Sequence, residues 1–221
     1  MKWKYFLLLT GIFLLGNAIA QTGQPPFRKE IDAFKSKDSL QMPAKNSILL
    51  IGSSSFAKWT DVQEYFPGYP ILNRGFGGSS LPDVIRYLDE IVFPYNPKQV
   101  IVYCGENDIA ASDTINAQRV MERVQQLFFL IRNKLPKVSF VFISIKPSPS
   151  RLKFQPVVKE ANSLIRQFLS KQPKTAFVNV YNAMLNTDGS IKEELFISDR
   201  LHMNAGGYAI WQKIIKPILL N

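Results

Sequence analysis

Short apolar runs alternate with longer amphipathic stretches along most of this chain, and this alternation limits the fold more than any other feature. The runs are rich in Val, Ile and Phe and cover residues 47–51, 69–73, 99–104, 138–144 and 176–180. Continuous apolar runs of this length are typical of strands that are covered on both faces. Between them, one clear helical stripe extends from Ile115 to Leu135.

Five strands separated by helical patterns predict a parallel sheet, because right-handed crossovers place helices on both of its faces. The expected architecture is therefore an α/β sandwich formed by residues 46–221. A last helical stripe contains Trp211, Ile214 and Ile215, and we expect Pro217 to bend or end that helix. Residues 21–45 contain three prolines and are expected to be a lead-in that packs on the domain, with one short helix.

The first 20 residues have the pattern of a secretory signal peptide, with small residues at Ala18 and Ala20. Their apolar run covers 11 residues, from Phe6 to Gly16, whereas a membrane-spanning helix needs about 20. A retained anchor helix is the alternative. We expect cleavage after Ala20 and a secreted or periplasmic protein without a stable membrane anchor.

The chain has 27 Lys and Arg against 17 Asp and Glu, and loss of Lys2 and Lys4 with the signal peptide leaves 25 − 17 = +8. These basic residues are scattered and form no recognisable nucleic-acid module, so we expect no nucleic-acid partner. Cys104 is the only cysteine, which excludes a disulfide within one chain. We expect it to end a buried strand as a small apolar side chain.

Polar and glycine-rich segments follow three of the predicted strands. They are Gly-Ser-Ser-Ser at 52–55, Asn-Arg-Gly-Phe-Gly-Gly-Ser at 73–79 and Gly-Glu-Asn-Asp at 105–108. Ligands of parallel α/β sheets bind beyond the carboxyl ends of the strands, where these segments are expected to meet. A fourth segment, Asp-Arg-Leu-His at 199–202, precedes the last helix and carries the only histidine of the chain.

Each segment alone has an ordinary structural interpretation. The serines could cap a helix, the glycines could form a loop, and the acidic segment could be a turn. A lone histidine is more often a core or surface residue than a catalytic one. Together, however, the segments offer what ester hydrolysis requires, namely a nucleophile, a base and donors for a developing negative charge.

The four segments, in this order, resemble the conserved blocks of the SGNH (GDSL-like) hydrolases over approximately residues 46–220. The resemblance implies a flavodoxin-like, three-layer α/β/α sandwich with a five-stranded parallel sheet. In the first block Ser53 and Ser55 replace the aspartate and leucine of the usual Gly-Asp-Ser-Leu. The replaced aspartate is not the acidic member of the family's triad, so this departure does not remove a catalytic group.

The resemblance implies a Ser-His-Asp triad. Ser54 would attack the acyl carbon, His202 would act as its base, and Asp199 would hold the imidazole in the useful tautomer. Residues three apart share a face in a helical turn, which allows Asp199 and His202 to touch. Alignment places the nucleophile at Ser54, although the neighbouring hydroxyls leave an alternative register open.

The family pattern also supplies donors for an oxyanion hole. These would be the backbone N–H groups of Ser54 and Gly78 and the side-chain amide of Asn107. Supporting roles are expected for Asn73, in shaping the second block, and for Asp108, in positioning Asn107 or its loop.

Two basic residues follow the fourth strand, Lys146 and Arg151, and we hypothesise that one of them helps to bind an anionic or sugar-bearing substrate; a solvated loop is the alternative. No metal and no cofactor are expected, because zinc hydrolases usually use two or three imidazoles.

The predicted function is that of a secreted serine esterase that removes short acyl groups, such as acetyl, from a carbohydrate or other small ester. One alternative is a lysophospholipase or acetylhydrolase that acts on lipid esters. The other is a non-catalytic, glycan-binding protein that keeps the SGNH fold.

Overall fold

The computed structural model describes residues 23–221, and the predicted signal peptide with its cleavage site lies outside them. Five parallel strands form one sheet in the order β2-β1-β3-β4-β5. Their bounds are Ile48–Gly52 (β1), Ile71–Gly75 (β2), Gln99–Tyr103 (β3), Ser139–Ile143 (β4) and Thr175–Val178 (β5). This confirms the predicted five-stranded parallel sheet and its flavodoxin-like strand order.

Nine α-helices are found among the described residues. They are Arg28–Leu40 (α1), Ser54–Ala57 (α2), Val62–Tyr65 (α3), Leu81–Arg86 (α4), Leu88–Ile91 (α5), Glu106–Ala111 (α6), Ala117–Lys134 (α7), Gln155–Leu169 (α8) and Ala205–Ile215 (α9). The helix α7 matches the long amphipathic stripe of the sequence. The last helix ends at Ile215, and Pro217 lies in a following 3₁₀ turn, Lys216–Ile218.

The core is divided by the sheet, because successive residues of a strand point to opposite faces. Leu49, Ile51 and Val100 pack with the buried residues of α4, α5, α7 and α8 on one face. Leu50 and Ile101 pack on the other face with Trp59 and with Trp211 of α9. The strands are covered on both sides, which explains why they are continuous apolar runs.

The lead-in contributes the helix α1, whose Ile31 is fully buried in the first of these two cores. No helix within residues 23–221 has both the length and the apolar character needed to cross a membrane.

Candidate active site

The polar segments of the sequence meet at the carboxyl edge of the sheet. Ser54 begins α2 directly after β1, Gly78 lies in the loop after β2, and Asn107 lies at the start of α6 after β3. The chain leaves β1 towards β2 on one side and reaches β3 on the other, so this edge is the switch point at which such sheets bind ligands.

The turn that presents Ser54 requires a glycine at position 52. Gly52 has a φ of 130°, and a Cβ there would lie only 1.9 Å from the carbonyl oxygen of Tyr103. The same carbonyl accepts a hydrogen bond of 2.9 Å from the Ser53 N–H. The close approach of β3 therefore fixes the chain as it enters α2.

The structure brings Ser54, His202 and Asp199 into hydrogen-bond contact, and we call these three residues the rim cluster. The Ser54 Oγ lies 2.8 Å from the His202 Nε2, and the His202 Nδ1 lies 2.6 Å from the Asp199 Oδ2. Neither Ser53 nor Ser55 makes this contact with the imidazole. This is the geometry in which an imidazole can take a proton from a hydroxyl.

Asp199 and His202 meet in a tight turn rather than in a regular helix, since the intervening Arg200 has a left-handed φ of 56°. The turn is closed by the Asp199 Oδ1, which accepts hydrogen bonds of 2.9 Å from the N–H groups of Leu201 and His202. The expected contact between residues three apart is present, but it depends on this turn.

Asp199 is held in its ionised form. Partial desolvation works against the charge, but the hydrogen bonds from the His202 ring and from the His202 and Leu201 N–H groups outweigh it and lower the Asp199 pKa to about 2. The side chain is 42% exposed, whereas that of His202 is 14% exposed. The carboxylate can thus orient the ring over the ordinary pH range without competing for its proton.

The three predicted oxyanion donors follow the ends of β1, β2 and β3. Within residues 23–221, the N–H groups of Ser54 and Gly78 donate no hydrogen bond to protein. The Asn107 Nδ2 donates to the Ser53 Oγ at 2.8 Å and to the Ser79 carbonyl at 3.1 Å. Both amide hydrogens of Asn107 are therefore engaged, and one of them must be redirected if this residue is to bind an oxyanion.

Ser53 is a residue whose role the sequence did not predict. It is 3% exposed, and its hydroxyl accepts from Asn107 at the position where the family pattern has a carboxylate. The departure from the family motif was visible in the sequence, but the partner of Ser53 was not.

Asn73 supports the turn after β1. Its Nδ2 donates to the carbonyls of Phe56 and Trp59 at 2.7 and 3.3 Å, and its Oδ1 accepts from the Gly75 N–H at 2.9 Å. It thus links the second block to the segment that begins at Ser54.

Asp108 makes no hydrogen bond to Asn107. The fully buried carboxylate accepts from the Leu81 N–H at 2.9 Å and from the Arg123 guanidinium at 2.6 Å. Burial raises its pKa despite these bonds. Asp108 therefore joins α6 to the first residue of α4 and to Arg123 of α7, and it supports the loop rather than the Asn107 amide itself.

The hypothesis that Lys146 binds substrate is wrong, because its side chain is 1% exposed. The Lys146 Nζ lies 2.6 Å from the Glu106 Oε2 and 2.8 Å from the Ser148 Oγ. Ser148 donates to the other oxygen of Glu106, and the Tyr103 hydroxyl donates to Glu106 at 3.0 Å. We call Lys146, Glu106, Ser148 and Tyr103 the buried cluster. Loop exposure was assumed from the sequence, which gave no signal that Glu106 would pair with Lys146.

Arg151 is half-buried in the 3₁₀ segment Pro149–Phe154, and its Nε has no hydrogen-bond partner within residues 23–221. No described contact links it to the rim cluster, so its part in substrate binding stays a prediction.

Cys104 is fully buried, and burial raises the pKa of its thiol well above the ordinary value. Such a thiol is a poor nucleophile at neutral pH. The described part of the chain contains no group of three or more His, Cys, Asp or Glu side chains arranged to hold a metal ion.

The family model of the GDSL-like lipase/acylhydrolases matches residues 51–210, the part of the chain that carries all four segments. The chain belongs to this family. Membership makes it a carboxylic ester hydrolase in class, which confirms the resemblance inferred from the motifs.

The chain is similar to a curated acetylhydrolase subunit and to the solved structure of a GDSL-like lipase. The platelet-activating factor acetylhydrolase IB subunit alpha1 of Pongo abelii is 26% identical over 164 residues, which cover 72% of this chain and 67% of the relative. A GDSL-like lipase from Bacteroides thetaiotaomicron has a similar structure, with a TM-score of 0.71 and 18% identity over 85% of this chain and 96% of that one.

A second similar structure is that of a catalytic mutant of an acetylxylan esterase from Geobacillus stearothermophilus. Its TM-score is 0.63 at 14% identity, and the match covers 80% of this chain and 95% of the other. At these identities the two structural likenesses establish the fold only.

Proposed function

We propose that this protein is an exported serine esterase that releases acetate from acetylated carbohydrate. The observation that carries the catalytic part of the proposal is the continuous contact from the Ser54 hydroxyl through the His202 ring to the Asp199 carboxylate, at 2.8 and 2.6 Å. A neutral imidazole placed between a hydroxyl and a carboxylate is suited to accept the hydroxyl proton.

In the first half-reaction, the Ser54 Oγ attacks the acyl carbon as the His202 Nε2 takes its proton. The carbonyl oxygen becomes negative and is stabilised by the free N–H groups of Ser54 and Gly78. The tetrahedral intermediate collapses, His202 gives its proton to the leaving alcohol, and an acetyl ester of Ser54 remains. Water attacks this ester in the same way and releases acetate.

Asn107 contributes the third donor in this mechanism. One of its hydrogens must turn from the Ser53 Oγ or the Ser79 carbonyl towards the oxyanion as charge develops. Ser53 is the more replaceable acceptor, because its hydroxyl can rotate whereas the Ser79 carbonyl is part of the backbone. The aspartate of the usual family motif would hold the amide with a charge, and such hydrogen bonds are stronger.

The names of relatives support an acetyl group. The curated relative is called an acetylhydrolase and one structural neighbour is called an acetylxylan esterase, so proteins that differ in the alcohol share the acyl group by name. We therefore assign acetyl, or a similarly short acyl chain, to this enzyme.

The alcohol must lie on the His202 side of the scissile bond, since His202 protonates it. A cavity of about 280 Å³ borders the turn that carries His202, and its lining includes Gln155, Tyr181 and Arg200. More than half of the residues that line this cavity are polar or charged. Such a lining suits a ligand with hydroxyl groups, such as a sugar.

A lipid acetyl ester is the second candidate. It is favoured by the name of the curated relatives, which specifies platelet-activating factor. The chemistry at Ser54 would be the same, and only the alcohol would differ.

Acetate release from acetylated xylo-oligosaccharide, compared with release from a short-chain acetylated phospholipid, distinguishes the two candidates. The proposal predicts a higher kcat/KM on the sugar ester and loss of activity on both in Ser54→Ala. A higher kcat/KM on the phospholipid would overturn the carbohydrate assignment. Unchanged hydrolysis of p-nitrophenyl acetate by Ser54→Ala would overturn the mechanism as well.

A further inference from the structure

The helix α1 precedes the region matched by the family model, yet its start packs against the loop that carries Gly78. We propose that Phe27 is a positioning residue, which holds the loop 76–78 so that the Gly78 N–H points at the oxyanion. This inference rests on the proposed function and adds to it a part of the chain that lies outside the matched residues.

The Phe27 side chain packs directly against the loop 76–78. Its ring packs edge-on against Phe76, with centroids 5.3 Å apart and an interplanar angle of 63°. The Phe27 Cε1 lies 3.8 Å from the point where a Cβ on Gly78 would stand. Apart from the chain neighbours of Gly78, no other heavy atom within residues 23–221 lies within 4 Å of that point.

This contact matters because two adjacent glycines give the loop backbone unusual conformational freedom. Gly78 has a φ of 79°, and a Cβ on Gly77 would meet nothing within 4 Å. Glycines sample both signs of φ readily, so the loop has little intrinsic preference for the conformation observed. An oxyanion donor is effective only when it is oriented before the charge develops.

Phe27 itself is in a backbone conformation that favours such a role. Its φ of 66° lies in the left-handed region, where a bulky side chain is uncommon and strain of about 1 kcal/mol is expected. Surrounding structure must hold a residue in that conformation, and such residues cluster at functional sites.

Both ends of α1 are fixed to the body of the domain. At its start, Arg28 donates two hydrogen bonds to Glu90, at 2.9 and 2.7 Å, and the Tyr87 hydroxyl donates to the Pro26 carbonyl. Near its end, Asp38 accepts from Arg74 at 2.5 Å, and Arg74 directly precedes Gly75 in β2. Hydrogen bonds thus attach α1 and the residues before it to the chain on both sides of the loop, at Arg74 before it and at Tyr87 and Glu90 after it.

The test is a comparison of Phe27→Ala with Phe34→Ala on p-nitrophenyl acetate. Phe34 lies in α1, which begins directly after Phe27, and the centre of its ring lies 5.0 Å from the Arg74 guanidinium. We expect Phe27→Ala to lower kcat about 10-fold or more with KM nearly unchanged. The Gly78 N–H would bind the oxyanion only in the transition state, so misalignment of this donor weakens binding of the transition state and not of the substrate. Phe34→Ala should keep the kcat of the wild type.

The conservative variant Phe27→Tyr retains the ring and should have a kcat within about 3-fold of the wild type. Circular dichroism and chemical unfolding establish that each variant is folded at the assay temperature; if Phe27→Ala is not, Phe27→Leu replaces it. Equal kcat in the Phe27 and Phe34 variants, or a change in KM alone, would overturn the inference while leaving the esterase intact. A wild-type protein without esterase activity would instead contradict the proposed function.

Discussion

The rim cluster and the buried cluster are both built from charged hydrogen bonds, but they differ in their access to solvent. In the rim cluster the Asp199 side chain is 42% exposed, whereas in the buried cluster Lys146 is 1% and Glu106 is 9% exposed. The rim cluster ends in a hydroxyl that a substrate can reach. In the buried cluster, Glu106 is surrounded by donors from Lys146, Ser148 and Tyr103.

This difference in solvent access suggests different roles, catalysis for the rim cluster and stability for the buried cluster. A proton can move along the rim cluster, since His202 can both take and give one. Burial and the charge of Glu106 raise the pKa of Tyr103 well above the ordinary value, so that hydroxyl stays a donor even in alkaline solution. We therefore expect changes in the rim cluster to alter the rate, and changes in the buried cluster to alter the free energy of unfolding.

The largest effect should follow from Ser54→Ala. Removing the nucleophile should lower kcat by about a million-fold, while the free energy of unfolding changes by less than about 0.5 kcal/mol. The measurement is p-nitrophenyl acetate hydrolysis together with urea unfolding. Ser55→Ala is the matched control, and a comparable loss of rate in that variant would show that the register of the nucleophile is wrong.

The opposite outcome is expected for Lys146→Met. It leaves the Glu106 carboxylate buried without its cation, which should lower the free energy of unfolding by about 3–5 kcal/mol. Where the variant is folded, kcat should stay within about 10-fold of the wild type. Urea unfolding and kinetics at low temperature check both values. A large loss of kcat with unchanged stability would assign the buried cluster to the chemistry and end the comparison.

Asn107 adjoins both clusters, because it directly follows Glu106 in sequence and donates to the hydroxyl of Ser53, the residue before Ser54. It therefore tests where the boundary between them lies. Asn107→Ala should lower kcat by about 10²- to 10³-fold with little change in KM, as for other side-chain oxyanion donors. Ser53→Ala removes one of the two acceptors of the amide and leaves the Ser79 carbonyl, so it should change kcat by less than about 10-fold. If Asn107→Ala changed KM alone, the residue would bind the ground state rather than the oxyanion.

The smallest effect concerns the dependence of stability on pH. The Asp199 pKa is about 2 in the folded protein and about 3.9 in an unfolded chain, so its stabilising contribution is present above about pH 4 and is lost as the pH falls towards 2. The difference in unfolding free energy between wild type and Asp199→Asn should therefore shrink between pH 5 and 3. Solvent exposure should keep this difference small. A difference in unfolding free energy that grew as the pH fell would contradict the lowered pKa of Asp199.

The two clusters also differ in how far their residues are predictable from the sequence. The strands and the residues of the rim cluster were predictable, because apolar runs and short motifs are local signals and parallel strands bring their ends together. The pairing of Glu106 with Lys146 joins residues 40 positions apart and has no local signature. Lys146 was consequently expected at a surface, and the contact of Phe27 with the glycine loop was not expected at all.

The most direct test of the account is labelling with a fluorophosphonate probe, followed by mass spectrometry of the modified peptide. We expect a single adduct on Ser54 in the wild type and loss of labelling in His202→Ala. An adduct on Ser53 or Ser55, or undiminished labelling of Ser54 without the imidazole, would contradict it.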